Sequence, residues 1–146
     1  MEIIIVVFVI LSLIGSISFL KPSKKMKALS AIRHIASKEG FKIGSTQILR
    51  KKFKSWTPQV AIYQIKNDSS FKDMHFVREG NALILYAPMS LKYDKQFLVI
   101  QEKILLLPNS VLEIIFFQSN IAIVWNEMLG HEELLNIKTA ILNISN

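Results

Sequence analysis

The chain has 146 residues, of which 51% are apolar and 20% are charged, and it contains no cysteine. Lys and Arg total 18 against 11 Asp and Glu, so the formal net charge is +7. This length accommodates one small domain. The composition excludes wholesale disorder, a disulfide-stapled miniprotein, a cysteine-based zinc site and a cysteine nucleophile.

The N-terminal segment is the most apolar part of the chain. Residues 3–20 carry no charged side chain. The interruptions of this apolar run are Ser12, Gly15, Ser16 and Ser18. A helix of this length rises by roughly 27 Å, close to the ~30 Å hydrocarbon core of a bilayer. We therefore predict a transmembrane anchor at residues 1–22.

Two other interpretations of this segment are a cleaved signal peptide and a buried core helix. Ser16 and Ser18 have the small-x-small spacing of a cleavage site. A signal peptide carries positive charge before its apolar core, whereas here Glu2 precedes it and lysines follow it. A core helix of this length normally keeps a polar stripe. The anchor is the favoured interpretation.

The charge distribution predicts an orientation for this anchor. The segment from Lys21 to Lys54 has eleven basic residues and one acidic residue, a net +10, whereas residues 55–146 have a net −2. Basic residues close to a transmembrane end stay on the cytoplasmic side. We expect a single-pass protein of the cell inner membrane, with its N terminus outside and residues 23–146 as a cytoplasmic domain.

Hydrophobic periodicity predicts the elements of that domain. In residues 23–39 apolar side chains recur every three or four positions, which predicts an amphipathic helix that is capped by Ser23 and ends at Gly40. A short strand is expected at 41–43, followed by a basic connection that runs through Lys54. The later predicted elements are a strand at 60–65, a hairpin of 76–78 with 82–87, a strand pair of 111–117 with 121–125, and a helix at 131–144.

Residues 91–107 fit a helix between Ser90 and Pro108 better than a strand, although 97–100 alone would also suit a strand. This order of elements predicts an α+β domain, with helices on one face of a mainly antiparallel sheet.

The strand at 111–117 is apolar on both of its alternating faces, and Glu113 is its one polar residue. A strand with this pattern is covered on both sides. Either the strand pair is central and helices wrap it, or a partner or a second copy of the chain covers part of it.

No residue pattern predicts a metal, a cofactor or a catalytic centre. His34, His75 and His131 are widely separated, and the glycines form no phosphate-binding motif. One cluster mixes acid, base and cation near a turn: Asp73, His75, Arg78 and Glu79. A solvated strand edge beside a turn is the favoured explanation of this cluster, so we do not expect an enzyme.

The basic segment 21–54 is the strongest functional signal. The residues expected at the membrane surface, against anionic lipid headgroups, are Lys21, Lys24, Lys25 and Lys27. The residues expected to contact an acidic partner or headgroups are Arg50, Lys51, Lys52 and Lys54. Two aromatic residues, Phe53 and Trp56, lie among these cations, as in single-strand nucleic-acid binders.

These observations predict an accessory or scaffolding protein that binds a protein partner, or a second copy of itself, at the inner membrane surface. Phe117 and Trp125 are the expected protein-contact residues. The alternative is a module that binds anionic lipid or nucleic acid through segment 21–54, with nucleic acid the least favoured.

Overall fold

A computed structural model describes residues 1–20, 23–44 and 46–145, apart from the side chains of 18–20. The helices are α1 (Glu2–Leu20), α2 (Lys24–Lys38), α3 (Gln47–Lys52), α4 (Phe97–Leu105) and α5 (His131–Ser145). The strands are β1 (Lys42–Ile43), β2 (Ala61–Lys66), β3 (Met74–Glu79), β4 (Ala82–Ala87), β5 (Glu113–Phe116) and β6 (Asn120–Trp125). Single 3₁₀ turns lie at Met89–Tyr93 and Glu127–Leu129.

The six strands form one antiparallel sheet in the order β1-β2-β6-β5-β3-β4. The α+β class and the antiparallel sheet are as predicted from the sequence. The predicted late strand pair is also confirmed, since Ile114 of β5 lies opposite Ile123 of β6. This pair occupies the centre of the sheet, where both of its faces need cover.

The main core lies on the face covered by α2, α4 and α5. Each of these helices buries its apolar stripe, as amphipathic helices do. The buried helix residues include Ile32, Ala36, Ile100, Ile104, Leu134, Ile137 and Ile141, and the sheet residues beneath them include Phe76, Ile114, Phe116, Ile123 and Trp125. The helix predicted at 23–39 is therefore confirmed as α2, with Ser23 Oγ accepting the Met26 N–H at 3.2 Å.

The opposite face is covered by residues 46–60, which we call the covering segment. Phe53 in this segment packs into a smaller apolar cluster with sheet residues Ile62, Ile115, Ala122 and Val124. The strand pair is thus central and enclosed by its own chain, and helices cover one face while a short helix and a loop cover the other.

Two element predictions are refined by the structure. Residues 97–105 are helical, so the helix interpretation of the 91–107 region holds there, with a separate 3₁₀ turn before it. The basic connection contains a helix, α3, that the sequence analysis did not anticipate. Thr46 Oγ1 caps α3 by accepting the Leu49 N–H at 3.2 Å.

The predicted transmembrane anchor is wrong. Among residues 1–20, 23–44 and 46–145, no helix is both long enough and apolar enough to cross a bilayer. Helix α1 has 19 residues with Glu2 in its first turn, and Ser12 and Ser16 interrupt its apolar surface. This finding also overturns the predicted inner-membrane location and the predicted orientation with the N terminus outside.

Candidate functional site

A cleft of about 750 Å³ lies at one end of the sheet. Its walls are α2, the covering segment and the 3₁₀ turn after β6. Helix α2 contributes Lys25 and Arg33, and the covering segment contributes Arg50 and Trp56. The 3₁₀ turn contributes Glu127. We call this surface the basic cleft.

Glu127 is nearly buried, with 7% of its surface exposed, and it is bound on both carboxylate oxygens. Arg33 donates from Nε to Oε2 at 2.8 Å and from Nη2 to Oε1 at 2.9 Å. The Tyr63 hydroxyl donates to Oε2 at 2.6 Å. This is a two-pronged guanidinium–carboxylate pair with a third donor, which is a strong arrangement.

The hydrogen bonds keep Glu127 ionised. Burial opposes the charged form, but the donors from Arg33 and Tyr63 outweigh it, and the pKa of Glu127 lies below its ordinary value. The hydrogen bond to Glu127 in turn raises the pKa of Arg33, and burial raises the pKa of Tyr63. Arg33 and Glu127 neutralise each other, and Lys25 and Arg50 are further basic side chains in the lining of the cleft.

Arg50 and Trp56 form one wall of the basic cleft together. The Arg50 guanidinium carbon lies 4.7 Å from the centroid of the Trp56 ring, a cation–π distance. The neighbouring wall is apolar, since Leu29, Val60 and Met128 also line the cleft.

A second buried carboxylate holds the covering segment in place. Glu113 is fully buried and accepts backbone N–H bonds from Lys54 at 2.9 Å and from Ser55 at 2.7 Å. Its other oxygen lies 2.5 Å from His75 Nε2. Burial acts to raise the pKa of Glu113. The hydrogen bonds with His75 and with these two N–H groups lower it by more, so the pKa of Glu113 lies below its ordinary value.

Some of the basic residues predicted to be functional line the basic cleft, and the others lie outside it. Lys25 and Arg50 line the basic cleft. Lys24, Lys27 and Lys51 are exposed outside its lining. On the covering segment, Lys52 Nζ lies 5.0 Å from the Phe117 ring centroid and Lys54 Nζ lies 5.1 Å from that of Tyr86. Lys21 lies outside the described residues.

The two predicted protein-contact residues have different surroundings. Phe117 is partly exposed beneath Lys52. Trp125 is fully buried in the main core, where its ring meets Tyr63 edge to face at a centroid distance of 5.3 Å. Its indole Nε1 has no hydrogen-bond partner in the part of the chain that the structure describes. Phe117 is therefore the member of this pair that a partner is able to touch.

The four residues considered as a catalytic cluster are not brought together. His75 binds Glu113, and Asp73 accepts a hydrogen bond from Gln118. Arg78 donates to the carbonyls of Val111 at 2.7 Å and Pro108 at 3.0 Å. Glu79 is exposed at the end of β3. Within the described ranges, no group of three acid, histidine or cysteine side chains is arranged to hold a metal.

Sequence reasoning missed Tyr63, Glu113 and Glu127 as site residues. Glu113 had a visible signal, because a lone acid in a strand that is apolar on both faces requires internal donors. Glu127 and Tyr63 had none, since their partner Arg33 lies 94 positions before Glu127 in the chain.

Comparison with known proteins gave no match to a protein-family model, a curated protein or a solved structure.

Proposed function

We propose that this protein is an accessory binding protein whose basic cleft takes an acidic segment of a protein partner. One observation carries the proposal: Lys25, Arg33 and Arg50 line a single cleft, and Glu127, the one acid among the described residues of its lining, is already paired with Arg33. A carboxylate that enters this cleft meets the basic side chains of Lys25 and Arg50. Charge complementarity of this kind favours a specific partner and speeds association.

The rest of the lining indicates what accompanies the acidic groups. Leu29, Val60 and Met128 provide apolar contact, and Gln59 and Asn126 provide neutral amide donors and acceptors. A peptide segment that alternates acidic and apolar side chains complements the basic and the apolar residues of the lining, and its backbone is able to hydrogen-bond with the amides. A bare inorganic anion would leave the apolar wall in contact with water.

Two observations favour a peptide over the alternatives. Phe53 is buried, with 6% exposed, so it is not available to stack on a nucleic-acid base. Ile32 and Ala36 of α2 are packed into the main core, so these two side chains are not available for insertion among lipids.

Binding measurements on the full chain test the proposal. The probe is a short peptide that alternates glutamate and leucine, and the control peptide replaces each glutamate by glutamine. We expect the acidic peptide to bind in a salt-dependent manner. K25Q and R50Q should each weaken binding by about tenfold, equivalent to ~1.4 kcal/mol.

Lys27→Gln provides the matched control, because Lys27 lies on the same helix as Lys25 but outside the cleft lining. K27Q should bind the acidic peptide as the wild type does. If K27Q weakens binding as much as K25Q, or if an oligonucleotide or anionic vesicles bind as well as the peptide, the cleft is not the recognition site. Absence of binding at low salt would also contradict the proposal.

A further inference from the structure

Strand β4 is the long, open edge of the sheet. It pairs with β3 on one side and stands last in the strand order, whereas the opposite edge, β1, has two residues. Natural sheets blunt their edges with short strands, charges or proline. The β1 edge follows this rule by being short, but β4 has six residues, Ala-Leu-Ile-Leu-Tyr-Ala, without a charge or a proline.

The backbone of β4 has hydrogen-bonding groups that point away from the sheet. Arg78 of β3 donates its N–H to Leu112 at 2.9 Å, on the side of β5, and Arg78 lies opposite Leu83 of β4. In an antiparallel ladder, residues turn alternately to one neighbour and then the other. The N–H and C=O of Leu83 therefore point outward, and by the same alternation so do those of Leu85.

The side chains between these positions are exposed and apolar. Ile84 is 41% exposed and Tyr86 is 43% exposed, and both lie on the face opposite the main core. Tyr86 is held in place, since His75 meets its ring at a centroid distance of 4.8 Å and Lys54 lies over it. The edge thus presents an ordered surface, and no strand among the described residues lies beside it.

We propose that β4 pairs with β4 of a second copy of this chain, antiparallel and with Ile84 on the two-fold axis. Leu83 of one copy then lies opposite Leu85 of the other, so their outward N–H and C=O groups pair. Ile84 faces its own counterpart, and Tyr86 faces the small Ala82 of the second copy. A symmetric contact places identical residues near one another, and an uncharged strand brings no like charges together.

Because Ile84 lies on the proposed two-fold axis, a side chain substituted there faces its own counterpart in the second copy. Full-length wild type, I84K and I84E are each analysed by sedimentation equilibrium, alone and as an equimolar mixture of the two variants. The wild type should have twice the monomer mass of 16.7 kDa. Each variant alone should dissociate, with dimer affinity at least about tenfold weaker, because like charges face each other. The mixture should recover the dimer, because Lys then faces Glu.

Ile48→Lys is the matched control, since Ile48 is 75% exposed on α3, away from the edge. I48K should associate as the wild type does. A monomeric wild type at high protein concentration would overturn the inference. So would an I84K protein that associates as strongly as the wild type, or a mixture of I84K and I84E that stays monomeric. The mixture also separates edge pairing from misfolding, since misfolded variants would not recover on mixing.

Discussion

At the scale of single residues, two buried carboxylates hold the basic cleft and the covering segment in place. Glu127 anchors Arg33 at the base of the basic cleft, and Glu113 anchors the backbone of the covering segment, which carries Arg50 and Trp56. Each carboxylate is buried and fully engaged by donors, a state in which removal of one partner is costly. The position of Arg33 therefore depends on Glu127, and the position of Arg50 depends on Glu113 through the covering segment.

Glu113 gives the protein a specific pH dependence. Its pKa is lowered in the folded state, so its contribution to stability is complete above the unfolded-state value of about 4.3 and is lost as pH falls through the folded-state pKa. We expect E113Q to be less stable than the wild type by about 3 kcal/mol at near-neutral pH. Urea unfolding at successive pH values should show this difference shrink in acid.

Glu79→Gln is the control for this series, because Glu79 is exposed and its loss should change stability by less than about 0.5 kcal/mol. A difference between E113Q and wild type that stays constant from near-neutral to acidic pH would mean that ionised Glu113 does not stabilise the fold. Glu127 also has a lowered pKa, so we expect E113Q to keep part of the acid sensitivity of the wild type.

At the scale of elements, periodic segments were predictable and the covering segment was not. Helix α2 and the β5–β6 pair follow from the spacing of their apolar residues and from Ser23 as a cap. Leu49, Phe53, Trp56 and Val60 of the covering segment contact the sheet cluster, but α3 ends at Lys52. Beyond it, the buried Glu113 holds the backbone N–H groups of Lys54 and Ser55. Such long-range attachment is absent from local sequence patterns.

Phe53→Ala tests whether the covering segment positions the cleft residues Arg50 and Trp56. The substitution removes a buried ring from the smaller apolar cluster, and we expect a loss of about 3 kcal/mol in unfolding free energy. Because Arg50 and Trp56 lie on the same segment, binding of the acidic peptide should weaken as well. Ile48→Ala, an exposed position on α3, should leave both measurements unchanged. A destabilised F53A that binds with wild-type affinity would show that the segment does not position the cleft.

At the scale of the whole molecule, the sequence predicted the class of fold but not the character of the N-terminal helix α1. The α+β arrangement followed from the order of elements, and the structure agrees. The predicted anchor was wrong, because the prediction relied on the length of the charge-free run, whereas the 19-residue α1 includes Glu2 and three serines. The concentration of positive charge between Lys21 and Lys54 was correctly located, but its arrangement around Glu127 required the tertiary structure.

The basic cleft and the β4 edge lie on different elements, so one molecule has room for both proposed contacts. The cleft is formed by α2, the covering segment and the turn after β6, and the edge is formed by β4 alone. A symmetric dimer through β4 would present two clefts to a partner. Two linked sites raise the effective concentration for a partner that carries two acidic segments.

The most direct test of the cleft uses the two tryptophans of the full chain as internal reporters. Trp56 lines the basic cleft beside Arg50, whereas Trp125 is fully buried in the main core. In a nuclear magnetic resonance titration with the glutamate–leucine peptide, the indole N–H signal of Trp56 should shift progressively while that of Trp125 stays in place. An unmoved Trp56 signal at saturating peptide, or equal shifts of both signals, would contradict the assignment of the cleft as the binding site.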